Sequence, residues 1–292
     1  MTHSQHGRDD TGVDRLAGPS SSPSAPHHDK PIGVFDSGLG GLTVARALLD
    51  LLPDEHLLYF GDTGRFPYGP KPPEDVLKFA LQITELLLEE DVKMIVVACN
   101  SAAAVALDHL RERVDVPVVG VIEPGIRAAR SATRTGSVGV IGTVGTIGSG
   151  AYQRAALEID TEIDLTCAAC PGFVEFVEAG DVDSEQVHIL AERLLAPVLE
   201  AEVDTLVLGC THYPLLARTI ADVMGPDVVL VSSADETAFE VRASLDGEHR
   251  RPGSAESRSE RRFLTSGDVG TFRSLGGRFL GPEVVHVEAW EW

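Results

Sequence analysis

The sequence predicts an α/β fold of two pseudo-symmetric lobes, each a mainly parallel sheet flanked by helices, with the active site in the cleft between them. Short β-branched runs alternate with amphipathic segments over most of the 292 residues, as expected for parallel sheets with helices on both faces. Two apolar runs end in a cysteine and have the continuous hydrophobicity typical of strands buried on both faces. The length suits two domains of ~150 residues.

The first half of the chain alternates strands and helices from Pro31 onward. Apolar side chains recur at helical spacing between residues 74 and 90 and predict a helix with one buried face. The predicted strands are Ile32–Phe35, Leu57–Phe60, Met94–Ala98 and Val116–Ile122. The predicted helices lie at residues 42–52, 74–90 and 101–113.

The second half repeats this alternation. Its predicted strands are Val138–Gly142, Leu165–Ala168, Thr205–Leu208 and Val228–Val231. Its predicted helices lie at residues 151–157, 173–177, 186–199 and 214–223. We therefore expect a first lobe of residues 31–122 together with 234–292, and a second lobe of residues 123–233.

Two polar segments are predicted to lie outside the packed core. Residues 1–30 are rich in Ser, Pro, His and Asp without apolar periodicity, so we expect a disordered tail. Its histidines have no fixed spacing, and no metal site is expected there. Residues 246–262 (DGEHRRPGSAESRSERR) are predicted to form a polar linker within the first lobe.

Composition excludes several classes of function. The formal charge is −21, from 45 acidic and 24 basic residues, whereas nucleic acids and anionic membranes are bound by basic surfaces. The 4 cysteines are too few for a disulfide scaffold. No apolar run approaches the ~18 residues of a transmembrane helix. We therefore expect a cytoplasmic protein that binds neither nucleic acid nor membrane.

Cys99 and Cys210 occupy matched positions in the two halves. Asp36 precedes Cys99 by 63 residues and Thr143 precedes Cys210 by 67, and each cysteine ends a buried strand. Ligands of open α/β sheets bind at the carboxyl ends of strands, so both thiols are expected in one shared cleft. Each also precedes a helix, where the dipole favours a thiolate. The alternative is that both are buried structural cysteines.

Two opposed thiols suit a reaction that removes a proton from one face of a carbon and returns one to the other. Inversion of a stereocentre needs such an acid and base, which exchange roles with the direction of reaction. The alternative is one cysteine acting as a nucleophile with His212. Its position two residues from Cys210 argues against this, because the fold usually brings catalytic partners together from distant positions.

Seven short motifs follow one another along the chain. They are DSGLGGL (Asp36–Leu42), GDTGRFPYG (Gly61–Gly69), ACNSA (Ala98–Ala102), VIEPG (Val121–Gly125), GTVGTI (Gly142–Ile147), CPGFVEFVEAG (Cys170–Gly180) and GCTHYPLL (Gly209–Leu216). In this order they resemble the glutamate racemase family, from about Pro31 to Val231 and again at RFLTSGD (Arg262–Asp268). The resemblance implies cofactor-independent racemisation of L-glutamate to D-glutamate for peptidoglycan biosynthesis.

The resemblance also implies roles for individual residues. Cys99 is expected to take the proton of D-glutamate and Cys210 that of L-glutamate. The residues expected to assist the thiols and hold the substrate ammonium are Asp36, Asp62, Glu178 and His212. The residues expected to bind substrate are Asp36, Ser37, Tyr68, Gly69, Asn100, Ser101, Thr143, Thr211 and His212.

Four further residues need an interpretation. Ser101 replaces the family's more frequent threonine, which keeps the hydroxyl but loses the methyl group that restricts its rotamers. Lys93 is interpreted as the solvated first residue of a strand rather than a pyridoxal anchor. Cys167 and Cys170 form a lone Cys-x-x-Cys pair, which lacks the second pair of a zinc site.

The sequence leaves alternatives for the substrate and for the partners. One alternative is a racemase of the same superfamily that acts on aspartate or a related amino acid. Some glutamate racemases also bind and inhibit DNA gyrase, and an acidic chain permits binding to a basic protein surface. Homodimers are common in the family, so we expect a homodimer.

Overall fold

Two parallel sheets organise the chain in a computed structural model, which describes residues 27–245, 250–251, 259–284 and 286–292. The first sheet contains β1 (Ile32–Asp36), β2 (Leu57–Gly61), β3 (Met94–Val97), β4 (Val118–Gly120), β9 (Arg261–Thr265) and β10 (Val287–Ala289). Its strand order is β10-β9-β2-β1-β3-β4. Strands β1, β2 and β3 are fully buried, as their apolar sequences predict.

The second sheet contains β5 (Ser137–Gly142), β6 (Asp164–Ala169), β7 (Thr205–Gly209) and β8 (Val229–Ser232), in the order β6-β5-β7-β8. Every strand pair in both sheets is parallel. The order β2-β1-β3-β4 within the first sheet is the same as the order of the whole second sheet. The predicted α/β class, with two similar parallel sheets, is confirmed.

Helices cover the faces of both sheets. They are α1 (Leu42–Leu51), α2 (Pro73–Glu89), α3 (Asn100–Arg113), α4 (Ile122–Ala132), α5 (Val144–Gly148), α6 (Ala151–Ile159), α7 (Phe173–Ala179), α8 (Glu185–Glu200), α9 (Ala217–Met224), α10 (Ser233–Ser244) and α11 (Val269–Leu280). Helix α10 packs against α1 and α4. The bounds of the two lobes stay a prediction.

Several element bounds differ from the sequence prediction. The strand predicted at Val116–Ile122 is shorter, because Ile122 already begins α4. Pro124 is tolerated there because the first turn of a helix has N–H groups without helical partners. The helix predicted at Pro214 begins instead as a 3-10 turn, Tyr213–Leu216, before α9. The sequence pattern predicts none of the elements α4, α5, α10, α11, β9 and β10.

Parts of the predicted tail and linker lie within the described residues. Residues 27–29 of the predicted tail form a short 3-10 helix, while residues 1–26 lie outside the described part of the chain. Within the predicted linker, residues 246–249 and 252–258 also lie outside it, but Arg251 is buried and its N–H donates to Glu55 at 2.9 Å. The linker prediction is wrong at Arg261 and Arg262, which belong to β9.

The interpretation of Lys93 as a solvated residue is wrong. Its side chain is buried, and its ammonium donates to Oε2 of Glu55 at 2.5 Å and to the carbonyl of His28 at 2.8 Å. Glu55 supplies the opposite charge that makes burial of a lysine possible.

Two left-handed residues show how closely the halves repeat each other. Asp91 has a φ of 56° and Glu202 a φ of 49°, and each lies eight residues before its cysteine. Such a φ is uncommon for residues other than glycine. The backbone therefore takes the same path into β3 and β7, and Cys99 and Cys210 follow equivalent strands.

None of the helices in the described part of the chain is both long and apolar enough to cross a membrane.

Candidate active site

A single cavity between the two sheets contains both predicted thiols. Cys99 follows β3 and is the N-cap residue of α3, and Cys210 directly follows β7. Both are at least nine-tenths buried. The cavity is lined by Ser37, Phe66, Pro67, Tyr68, Gly69, Pro70, Cys99, Asn100, Ser101, Thr143, Val144, Cys170, Pro171, Gly172, Val174, Glu175, Cys210, Thr211 and His212.

Cys99 is a neutral thiol in this arrangement. Its Sγ donates to Oγ of Ser37 over 3.6 Å. Burial, followed by the nearby Asp36 carboxylate, raises the pKa of the Cys99 thiol to about 12. The expectation that the helix end would favour a thiolate is wrong for Cys99, because the loss of hydration and the Asp36 charge outweigh the backbone N–H groups.

Cys210 lies beside a histidine that is paired with a carboxylate. Nδ1 of His212 is 4.0 Å from Sγ of Cys210, and its Nε2 is 2.7 Å from Oε1 of Glu178 on α7. Burial lowers the pKa of His212, but its hydrogen bonds with Cys210 and Glu178 outweigh burial and raise that pKa to about 10. At neutral pH His212 is therefore an imidazolium, held between a carboxylate and a sulfur atom.

Asp36 connects the two sheets. It ends β1, and its Oδ1 accepts a hydrogen bond of 3.4 Å from the hydroxyl of Thr211, which lies after β7. Burial raises the pKa of the Asp36 carboxyl, while His212 and the N–H groups of Gly38 and Gly41 act against it. Asp36 is thus a buried carboxyl group that influences the charge of both Cys99 and His212.

The glycine turn after β1 makes this contact possible. A Cβ atom on Gly40 would clash with the hydroxyl of Thr211 and the ring of His212. Only glycine lets the turn approach the second sheet so closely.

Hydroxyl groups form a second connection across the cavity. Oγ of Ser101 lies 2.9 Å from Oγ1 of Thr143 and 3.1 Å from Oγ1 of Thr146. Thr143 is also the N-cap of α5 and accepts from the N–H of Thr146 at 3.2 Å. The carbonyl of Gly69 accepts from the N–H of Gly145 at 2.9 Å. These hydrogen bonds connect Ser101 and Gly69, on the side of the first sheet, to the segment after β5.

Asn100 has an unused hydrogen-bond donor. Its Oδ1 accepts from the Tyr152 hydroxyl at 2.7 Å, whereas its Nδ2 is buried without a partner among the described residues. An unpaired buried amide nitrogen is costly unless a ligand completes it. Together with Ser37 it provides donors on the Cys99 side of the cavity.

Asp62 and Glu178 stand outside the residues that line the cavity. Asp62 is fully buried behind Tyr68, whose hydroxyl donates to its Oδ2. Glu178 reaches the site through His212. The other predicted residues lie at the cavity wall, except Asp36, which lies behind Thr211.

Several residues of the cavity wall were not predicted as site residues. Phe66 and Pro67 lie within the GDTGRFPYG motif, and Cys170, Val174 and Glu175 lie within CPGFVEFVEAG. The apolar residues among them carry no chemical signal of their own, and the sequence marks Cys170 only as part of a Cys-x-x-Cys pair. The described cavity wall includes no lysine or arginine, so His212 is its cationic side chain.

This fold and site belong to a class of amino-acid racemases. A family model described as Asp/Glu/Hydantoin racemase matches residues 32–240, and the chain belongs to that family. Within it the similarity is to glutamate racemases. The relative from Acidothermus cellulolyticus is 54% identical over 258 residues, which cover 88% of this chain and 97% of the relative.

Solved structures agree with this assignment. The glutamate racemase isoform RacE1 of Bacillus anthracis is 41% identical with a TM-score of 0.84, covering 91% of this chain and 98% of that one. The glutamate racemase of Francisella tularensis, solved in complex with D-glutamate, is 34% identical with a TM-score of 0.84, covering 90% and 98%. The resemblance stated from the motifs is confirmed.

Proposed function

We infer that this protein interconverts L-glutamate and D-glutamate with two thiols as acid and base. One observation carries the inference: Cys99 and Cys210 follow equivalent strands of two similar sheets and line the same cavity. A substrate between them would present opposite faces of its α-carbon to the two sulfur atoms. Relatives 45–55% identical to this chain are named glutamate racemases, which supports glutamate as the substrate.

The reaction exchanges one proton for another at the α-carbon. With L-glutamate bound, Cys210 acts as a thiolate and takes the α-proton: the C–H bond breaks, an S–H bond forms, and the electron pair stays on the carbon as a carbanion. Cys99 then gives its thiol proton to the opposite face, so that a new C–H bond forms and a thiolate remains. With D-glutamate the two thiols exchange roles.

Without substrate, the protonation states of Cys99 and His212 suit the conversion of L-glutamate to D-glutamate. Cys99 is held as a thiol by burial and by Asp36, which makes it ready to donate. Nδ1 of His212 lies 4.0 Å from Sγ of Cys210, and its imidazolium places a positive charge beside that sulfur. Glu178 keeps the imidazole protonated, so we assign it a role through His212.

The substrate supplies the remaining charge. Its ammonium group, near Asp36, would offset the carboxylate charge that raises the pKa of Cys99 when D-glutamate must be deprotonated. Asp36 therefore acts from behind Thr211, where its charge attracts the ammonium and sets the charge at Cys99. Asp62 supports Tyr68 at the cavity wall instead of contacting a thiol.

The two carboxylates of glutamate are recognised by neutral donors. The unpaired Nδ2 of Asn100, the hydroxyls of Ser37 and Thr211, and the first N–H groups of the 14-residue helix α3 suit the α-carboxylate. The hydroxyls of Ser101 and Thr143 and the backbone of Gly69 suit the side-chain carboxylate. A wall without lysine or arginine binds an anion through such hydrogen bonds.

Circular dichroism of the substrate tests the function directly. Purified protein without added cofactor should abolish the signal of L-glutamate and, in a separate reaction, that of D-glutamate. L-aspartate is the control substrate, and we expect it to react at least about a hundredfold more slowly, because its shorter side chain misplaces one carboxylate. Equal rates would identify a racemase of broader acidic substrates, and no change with glutamate would refute the function.

The cellular context follows from the family resemblance. D-glutamate would supply peptidoglycan biosynthesis in the cytoplasm, and a homodimer is the expected assembly. Binding to DNA gyrase stays a prediction, for which titration of the protein into a supercoiling assay is the test.

A further inference from the structure

Trp292 packs on the loop at residues 62–70, which forms one wall of the cavity. The guanidinium carbon of Arg65 lies 3.8 Å from the centre of the Trp292 ring. The indole N–H donates to Oδ1 of Asp62 at 3.3 Å, and the ring meets Phe60 edge-on with centroids 5.5 Å apart. An aromatic ring 230 residues away in sequence thus contacts both charged residues at the start of this loop.

Arg65 is held on its other side by α2. The ring of Phe79 lies 4.2 Å from the guanidinium carbon, so Arg65 is enclosed between two aromatic rings. Its Nε donates to Oδ2 of Asp62 and its Nη1 to Oε1 of Gln82, both at 2.6 Å. Planar stacking combined with directional hydrogen bonds is a property of arginine that lysine lacks.

Asp62 connects Arg65 to the wall of the cavity. The same Oδ2 that Arg65 holds also accepts from the hydroxyl of Tyr68. The Tyr68 ring packs 5.5 Å from that of Phe79, and the side chain is only 1% exposed. Tyr68 lines the cavity together with Cys99, so its place is set from behind by Asp62 and Arg65.

We propose that Trp292 is a positioning residue for the substrate cavity, which acts through Arg65 and Asp62 to fix Tyr68 and its loop against the bound substrate. The proposal rests on the proposed function, because glutamate is the ligand whose binding the loop would affect. Trp292 itself is 49% exposed and contributes little to the core, so its removal should change the loop more than the fold.

Steady-state kinetics with L-glutamate separate positioning from general stability. Trp292→Ala should raise KM about threefold to tenfold with kcat within about twofold, because cation–π stacking and loop order are lost while the thiols stay in place. Trp292→Phe keeps a ring over Arg65 and should recover most of the wild-type KM. The matched control is Phe239→Ala, which removes a 45% exposed ring that lies 5.2 Å from Arg242 on α10, away from the cavity.

Arg65→Lys provides a second variant of the same contact. This variant keeps the charge but loses the planar stack, so we expect its KM to equal that of Trp292→Ala. The double variant should show no further rise in KM. An unchanged KM in Trp292→Ala would overturn the proposal. Independent, multiplying effects of the two substitutions would also overturn it, as would a loss of kcat that follows the folded fraction.

Hydrogen exchange distinguishes failure of this proposal from failure of the proposed function. If the wild-type protein does not racemise glutamate, the function is refuted but the restraint on the loop can still be measured. Trp292→Ala should then increase amide exchange within residues 62–70 relative to Phe239→Ala. Equal exchange in the two variants would refute the positioning role of Trp292.

Discussion

Nε2 of His212 lies 2.7 Å from Oε1 of Glu178, while Nδ1 of the same ring faces the sulfur of Cys210 at 4.0 Å. The carboxylate thereby controls the charge of the imidazole next to one of the two thiols. Glu178 comes from α7 and His212 from the turn after β7, so this control depends on the packing of two elements of the second sheet's side.

Glu178→Gln should lower the pKa of His212 from about 10 toward its usual 6.5. A raised pKa means that the imidazolium is present below that value and is lost above it. Removal of the carboxylate therefore moves the loss of the imidazolium to lower pH. The alkaline limb of the profile of kcat/KM for L-glutamate should shift in the same direction.

Glu158→Gln is the control for this prediction, because it removes an exposed carboxylate from α6. We expect it to leave the profile in place. An alkaline limb that is identical in Glu178→Gln and wild type would mean that Glu178 does not set the charge of His212.

Cys99→Ser and Cys210→Ser should each reduce racemisation by at least about a hundredfold, because a serine hydroxyl is a far weaker acid and base than a thiol. Cys167→Ser is the matched control, since Cys167 is half-buried and is not among the residues lining the cavity. Full activity in either of the first two variants would rule out the two-thiol mechanism.

Turnover of L-glutamate in deuterated water should place deuterium at the α-carbon of the D-glutamate formed. The returned proton comes from the second thiol, which exchanges with solvent between turnovers. Early in the reaction the remaining L-glutamate should stay unlabelled, as mass spectrometry of the separated enantiomers would show. Label appearing equally in both enantiomers from the start would indicate a single base.

Lys93→Met should lower the free energy of unfolding by about 3 kcal/mol, because it leaves the Glu55 carboxylate buried without this ion-pair partner. The double variant with Glu55→Gln should recover part of that loss. Urea unfolding followed by circular dichroism measures both. A double variant no more stable than Lys93→Met would show that the charge of Glu55 is not the cause.

Much of the fold and both thiols could be predicted from the sequence because their signals are local. A buried apolar run followed by a cysteine and a helix is visible within a dozen residues around Cys99, and again around Cys210. Helix α4 has no such local signal: Pro124 and Gly125 are residue types typical of turns, whereas packing against α6, α10 and β7 makes them helical.

Charges and distant contacts could not be predicted in the same way. The pKa of Cys99 depends on Asp36 and on burial, neither of which follows from the adjacent helix end. Lys93 looked exposed because its partner Glu55 lies 38 residues earlier. Asp62 meets Ser266 and Trp292 only through the return of the last strands to the first sheet, 204 and 230 residues later.

The equivalent placement of Cys99 and Cys210, in unequal surroundings, has a kinetic consequence. Enantiomers have the same free energy in water, so the equilibrium constant is one and kcat/KM must be equal in the two directions. A site that differs in charge between its two faces can nevertheless turn over L- and D-glutamate at different maximal rates. A higher kcat for one enantiomer must then be accompanied by a proportionally higher KM for that enantiomer. The asymmetry of Asp36, His212 and Glu178 therefore determines the concentration at which each enantiomer saturates the enzyme, but not the position of the equilibrium.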